Sequence, residues 1–282
     1  MPLCPTPIQD HACLVSFNRD CGRGLKWLRL KTQTDQFGCQ PGQFVMLDLP
    51  DSRFLFRRPF SVLDVPEPDL IDIYYKVVGQ GTAIMATMQA GDSMRCLGPL
   101  GLGFSPPNAP QTALYIGGGI GIAPLYQLGK SLPQAGRCVY GVRDVAEIGL
   151  EQELQQVFGS NLHIATDNGS AGFRGNVCQL LQSRENLILE AQEAYICGPT
   201  RMMQATVELL HRIKPELNVQ VSLEERMPCG TGACTGCVVP RADQYLPSKI
   251  CVEGPVFDAR RIRWETDLLP ADAFCGEVAC PS

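Results

Sequence analysis

The chain has 282 residues, 45% of them hydrophobic and 19% charged, with a formal net charge of -5. That length exceeds a single core and predicts two or three domains. The acidic balance and the lack of a basic run exclude a nucleic-acid-binding surface. No apolar stretch reaches transmembrane length, and Met1 to Asp20 lacks a basic n-region followed by an apolar h-region, so a soluble cytosolic protein is expected.

From about Leu14 to Leu100 the chain runs in short alternating or apolar stretches broken by glycine and proline. Examples are 25–30, 44–49 and 71–78. This spacing predicts an antiparallel barrel or sandwich, interrupted by one helix from Ala83 to Met88. Within it, Arg57-Arg58-Pro59-Phe60-Ser61 stands at a strand end. An arginine there pairs bidentately with a diphosphate, and a serine shortly after it can hydrogen-bond a flavin ring nitrogen. Taken alone the motif is weak, since an arginine before a proline is more often solvated surface. Gly79-Gln80-Gly81-Thr82, opening the helix, adds backbone amides and a helix N-terminus suited to the same phosphates. The flavin set is therefore Arg58, Pro59, Phe60, Ser61, Gly81 and Thr82, together with Tyr75, Lys76 and Val77 at the end of the preceding run.

The pattern changes at Ser105-Pro106-Pro107-Asn108-Ala109-Pro110, which reads as a linker. Beyond it, strands at 113–116, 138–142, 162–165, 194–197 and 219–223 alternate with helices at 123–131, 150–158 and 200–214. That alternation predicts a doubly wound parallel sheet. Ile116-Gly117-Gly118-Gly119-Ile120-Gly121-Ile122-Ala123-Pro124 sits at the first strand-to-helix turn. Such a turn sets glycine backbone and the positive helix end against a pyrophosphate, and Pro124 suits the first helical turn. Cys197-Gly198-Pro199 ends the fourth strand, on the edge where ligands of open α/β sheets bind. The nicotinamide set is Gly118, Gly119, Gly121, Pro124, Cys197, Gly198 and Pro199. No histidine partners Cys197 in the local sequence, and no catalytic side chain is assigned. Thr166-Asp167-Asn168-Gly169 suits a ribose contact or a capping turn. At the end of the second strand, Arg143 favours a 2′-phosphate and Asp144 opposes it.

The most specific signal comes last. Cys229, Cys234 and Cys237, with Cys251 downstream, follow the C-x4-C-x2-C…C spacing of a plant-type [2Fe–2S] cluster. A structural zinc site would show paired C-x2-C hooks, whereas this first interval is longer and glycine-rich. Gly230, Gly232 and Gly236 are expected to supply the positive φ that the sharp loop needs. The chain has 14 cysteines. Most of the others are scattered and are expected to be free thiols. Cys275 and Cys280, a possible metal or redox pair, are too few to make a site.

In this order, R-P-F-S, G-Q-G-T, G-G-G-I-G-I-A-P, C-G-P-x-x-M and the cysteine loop resemble the ferredoxin–NADP reductase superfamily. Within it, the Ser222 to Cys237 stretch looks like the electron transfer subunits of type B (NAD-dependent) dihydroorotate dehydrogenases. The resemblance covers about Leu14 to Phe257. It implies an antiparallel FAD-binding β-barrel (1–105), a doubly wound parallel-sheet NAD domain (106–223) and a C-terminal [2Fe-2S] segment (224–282). It also implies a partner, an FMN-containing catalytic subunit that oxidises dihydroorotate to orotate for pyrimidine synthesis, in a heterotetramer of two plus two chains. Related subunits serve other partners, such as sulfhydrogenases and NADH-dependent ferredoxin:NADP oxidoreductases. The latter look to carry aspartate where Cys229 stands here.

Overall fold

A computed structural model describes residues 8–33, 36–50 and 54–264. Cys275 and Cys280 lie outside the described residues. The first unit is a closed antiparallel barrel of β1 (Gln9–Gly22), β2 (Leu25–Thr32), β3 (Phe44–Leu47), β4 (Arg58–Asp64), β5 (Leu70–Lys76) and β6 (Ser93–Leu100). Around the barrel the strands run β1-β2-β5-β4-β3-β6, so β4 stands between β5 and β3. Alternation places Val45, Leu47, Val62, Ile71, Ile73 and Tyr75 inside the barrel. Helix α1 (Gln80–Thr87) joins β5 to β6.

The second unit carries the parallel strands β7 (Ala113–Gly118), β8 (Arg137–Val142), β9 (Leu162–Thr166), β10 (Phe173–Arg174), β11 (Glu193–Cys197) and β12 (Asn218–Ser222). Helices α2 (Ile122–Lys130), α3 (Glu151–Phe158), α4 (Val177–Ser183), α5 (Asn186–Leu189) and α6 (Thr200–Ile213) cover its faces. The central strands β7, β8 and β11 read as largely apolar runs because helices bury both faces of the sheet. The predicted helices α2, α3 and α6 form within a residue of their expected ends. The strand β10 and the short helices α4 and α5 had no periodic run long enough to mark them. The proline-rich segment is not a free linker. Tyr195 donates to the Ser105 carbonyl (3.1 Å), and the Asn108 N–H donates to Glu193 (3.0 Å), tying it to the sheet.

The last segment holds β13 (Val238–Val239), β14 (Ser248–Lys249), α7 (Ile250–Glu253) and β15 (Val256–Asp258). It does not stand apart. Strand β15 pairs antiparallel with β12, so the parallel sheet gains a seventh strand in the order β10-β9-β8-β7-β11-β12-β15. Where strand–helix alternation predicted that β12 closes the set, the sheet edge is instead covered by a strand from the cysteine-bearing segment, which protects unpaired backbone groups. Among the described residues no helix is long and apolar enough to cross a membrane.

Candidate functional site

The cysteine loop is shaped by backbone conformation. Gly230 (φ +71) and Gly232 (φ +83) take the left-handed region as expected, but Gly236 does not. The third left-handed residue is Thr235 (φ +54), the only described non-glycine with positive φ. Gly236 is small for another reason. A Cβ there would stand 3.1 Å from Pro228 and 3.5 Å from the Cys234 sulfur. Two amides point at sulfur: Thr231 N–H donates to Cys229 Sγ (3.4 Å) and Gly236 N–H donates to Cys234 Sγ (3.5 Å).

The four thiols meet in pairs, Cys229 with Cys234 and Cys237 with Cys251. Among the described residues no three His, Cys, Asp or Glu side chains converge on one ion-sized position. Two thiolates for each of two irons is what a [2Fe–2S] cluster would take from such pairs. Burial acts to raise the Cys229 pKa, but hydrogen bonds from the Cys234 and Thr231 backbones outweigh it and bring the thiol to about 6. Burial pushes Cys251 up to about 12, helped by its contact with Cys237. Cys237 and Cys251 are buried in a core shared with the barrel residues Phe44, Met46 and Leu100, while Cys234 is exposed.

On the barrel, Arg57 turns away to Asp10 (2.8 and 2.9 Å), leaving Arg58 as the arginine at the glycine loop. A Cβ on Gly81 would lie 3.5 Å from Arg58 Nε, so the motif and the helix opening meet as expected. Arg58 also stacks on Phe54 (5.2 Å) and donates to the Phe56 carbonyl. Thr82 Oγ1 accepts from the Val78 and Gly79 amides (3.0 and 3.2 Å), shaping the turn into α1. Pro59, Phe60 and Ser61 run along β4, half-buried. The Tyr75 side chain lies inside the barrel, donating to Asn18 (3.1 Å) with its ring against Phe60 (5.9 Å), so only its backbone faces outward. Lys76 is engaged by Glu147 (2.9 Å), and Val77 N–H donates to Gly24 O (2.8 Å).

In the second unit β7 and β11 are neighbours with Gly117 opposite Cys197, which brings the two predicted nicotinamide motifs together. A Cβ on Gly121 would stand 2.5 Å from the Cys197 carbonyl oxygen, and one on Gly118 2.4 Å from Met202 Sδ and 3.0 Å from Pro199. Only glycine permits this approach, which leaves the backbone bare toward the strand ends. Gly119 (φ +55) and Gly198 (φ +157) need glycine for their conformation. Pro124 lies in the first turn of α2. Burial pushes the Cys197 thiol up to about 12, which keeps it protonated and unreactive.

The three motif groups meet at the neighbouring strands β3, β4 and β5. Met46 on β3 is opposite Pro59 on β4, and Gly230 of the cysteine loop lies against Met46, whose Cγ a Cβ there would approach to 2.8 Å. Helix α2 packs against β4, and the Gly119–Gly121 turn reaches β5. Sequence reasoning missed three residues of this arrangement. Met46 gave no signal, Lys249, two residues before Cys251, donates to Gly232 O (2.7 Å), and Glu147 lies four residues after Arg143. That spacing carries no helical ion-pair signal, because Arg143 lies between β8 and a short turn at 145–147 rather than on an α-helix.

Over 233 residues the chain is 41% identical to the dihydroorotate dehydrogenase B (NAD(+)) electron transfer subunit of Listeria monocytogenes, covering 80% of this chain and 88% of that one. The chain belongs to this family. A second member, from Bacillus caldolyticus, is 41% identical over 232 residues, covering 79% and 86%. Residues 224–263 match the iron-sulfur cluster binding domain of dihydroorotate dehydrogenase B, and residues 115–208 match the oxidoreductase NAD-binding domain. Among solved structures, the NADH-dependent reduced ferredoxin-NADP oxidoreductase superposes with a TM-score of 0.75 at 27% identity, covering 93% of this chain and 92% of that one. The ferredoxin reductase of carbazole 1,9a-dioxygenase shares the fold, with a TM-score of 0.64 at 21% identity over 76% of this chain and 70% of its own.

Proposed function

We propose that this chain is the electron transfer subunit of a type B dihydroorotate dehydrogenase, relaying electrons from the FMN of a catalytic partner to NAD⁺ in the cytosol, in pyrimidine biosynthesis. Its cofactors are a [2Fe–2S] cluster, FAD and NAD, and it works in a heterotetramer of two plus two chains. The units are residues 1–105 for FAD, 106–223 for NAD and 224–282 for the cluster.

When bound, the cluster carries electrons singly, and FAD gathers two of them into the hydride that nicotinamide requires. The residues of the chain bind and orient these groups. Cys229, Cys234, Cys237 and Cys251 are the iron ligands, and the Thr231 and Gly236 amides tune the sulfurs they face. Arg58 and the α1 N-terminus neutralise the FAD diphosphate. Pro59, Phe60 and Ser61, with the backbone of Tyr75, Lys76 and Val77, line the flavin, and Ser61 offers a hydroxyl to its ring. The bare backbone at Gly118, Gly119 and Gly121, opposite Cys197, Gly198 and Pro199, admits the dinucleotide, and Pro124 starts the helix behind it.

The observation that carries this reading is the position of β4 between β3, whose Met46 meets the cysteine loop, and β5, which the nicotinamide turn reaches, with α2 packed on β4 itself. In the co-expressed complex, Cys234→Ser is expected to abolish dihydroorotate-dependent reduction of NAD⁺, while NADH-driven reduction of a dye through FAD survives. Loss of both activities in folded, FAD-loaded protein would contradict the relay.

A further inference from the structure

The loops after β8 and β9 meet at the strand-end edge. Asp167 N–H donates to Val142 O (3.2 Å), Asn168 N–H donates to Arg143 O (3.3 Å), and Val145 N–H donates to Ser170 Oγ (2.8 Å). In a doubly wound sheet with its phosphate turn after β7, the end of the next strand reads the ribose 2′ position. A carboxylate there accepts a 2′-hydroxyl, and a free arginine accommodates a 2′-phosphate. Arg143 occupies that place, but it is not free.

Glu147, its side chain only 7% exposed, takes Arg143 Nε on both carboxylate oxygens (3.1 and 3.3 Å), and a further contact comes from the Arg143 NH2 group. The same carboxylate holds Lys76 (2.9 Å) across the junction with the barrel. Asp144 is paired with Arg23 (2.7 Å). Asp167 lies within electrostatic reach of Arg143. Three cations, Arg23, Lys76 and Arg143, thus face three carboxylates, Asp144, Glu147 and Asp167, for a local sum of zero. A 2′-phosphate, carrying about −1.5 to −2 charges, meets here cations that are already engaged, with Arg174 across Gly169 the remaining neighbour.

We propose that Glu147 is a positioning residue for coenzyme selectivity: by holding Arg143 it denies the site a 2′-phosphate ligand and makes it a site for a dinucleotide with a free 2′-hydroxyl. This rests on the NAD-site reading above, and the two are separable by experiment. The probes are 5′-AMP, which reports the site itself, and 2′,5′-ADP (adenosine 2′,5′-bisphosphate), which differs only in the 2′-phosphate. Both are titrated calorimetrically into the holoprotein complex.

Glu147→Gln is expected to shift the affinity ratio toward 2′,5′-ADP by about 10–100-fold, the worth of one released charge-assisted hydrogen bond. The gain is expected to weaken as salt rises and to vanish in Glu147→Gln/Arg143→Ala. In the otherwise unchanged chain, Arg143→Ala leaves the ratio within about twofold, because the arginine is already engaged. An unchanged ratio in Glu147→Gln would overturn the proposal. So would a gain that survives in the double variant, which would point instead to Lys76, released from Glu147, or to Arg174, whose side chain crosses Gly169. If Glu147→Gln does not fold, Arg143→Ala decides: a selective loss of 2′,5′-ADP binding would show that Arg143 already serves a phosphate. Failure of 5′-AMP to bind the wild type would overturn the site reading and this proposal together.

Discussion

Gly230 of the cysteine loop lies against Met46 of the barrel, with room for a hydrogen but not a methyl group. A Cβ at Gly230 would stand 2.8 Å from Met46 Cγ and 3.2 Å from Leu100 Cδ1, on a backbone whose φ of +71 already disfavours one. Gly230→Ala therefore strains the conformation and forces the loop off the barrel, at a cost of about 1–3 kcal/mol. The expected outcome is a lower thermal midpoint and slower electron flow from the partner to FAD. Iron analysis and stopped-flow reduction of the complex check both. A variant with unchanged inter-cofactor rate would mean that this contact does not set the spacing.

Gly121→Ala tests the nicotinamide edge. Its new methyl group would fall 2.5 Å from the Cys197 carbonyl oxygen, which is backbone and cannot yield cheaply. Separating the two strand ends by an ångström is expected to lower NADH-linked turnover about 100-fold, with FAD and iron content intact. Flavin absorbance and steady-state kinetics with a dye acceptor measure it. Undiminished turnover would place the coenzyme elsewhere.

Arg58→Ala removes the guanidinium facing the Gly79–Gly81 turn. A charge-assisted hydrogen bond to a diphosphate contributes about 1.5–3 kcal/mol, so FAD affinity should fall roughly 10–100-fold. Arg57→Ala serves as the control, since Arg57 is engaged with Asp10 instead. Equal FAD loss in both variants would refute the division of labour between the two arginines.

The cysteines differ in acidity. In iron-free protein the Cys229 thiol, at about 6, is a thiolate at neutral pH, while Cys251, at about 12, remains protonated. Because the thiolate is the reactive form, alkylation of Cys229 by iodoacetamide should rise through a midpoint near pH 6 and level off above it. Cys251 should resist throughout the neutral range. Peptide mass spectrometry after timed quenching measures both, and equal rates at pH 7 would contradict the assignment.

Lys249 donates to Gly232 O (2.7 Å), which sets an ammonium beside the cysteine loop. A nearby positive charge favours the reduced, more negative state of an iron–sulfur centre. Lys249→Gln should therefore lower the midpoint potential by about 20–60 mV, the scale of one partly screened charge several ångströms away. An EPR-monitored redox titration reads the shift. A potential that rises would reverse the sign of this argument.

Spacing along the chain marks the four proposed cluster cysteines, because three of the four share one short loop whose covalent length confines them. The parallel sheet was equally legible from apolar runs alternating with amphipathic ones, and so were the two glycine turns that open helices. These are local properties, set by covalent spacing and by which faces of an element are buried. What the tertiary structure alone decided are relationships between distant segments. It seated Gly230 on Met46 and brought β15 onto the edge of β12. It turned Tyr75 into the barrel and Arg57 toward Asp10, and it delivered Arg143 and Lys76 to one buried carboxylate at Glu147. None of these depends on periodicity. Each follows from how two surfaces exclude water and satisfy charge when folding brings them together, and a linear pattern does not encode that juxtaposition.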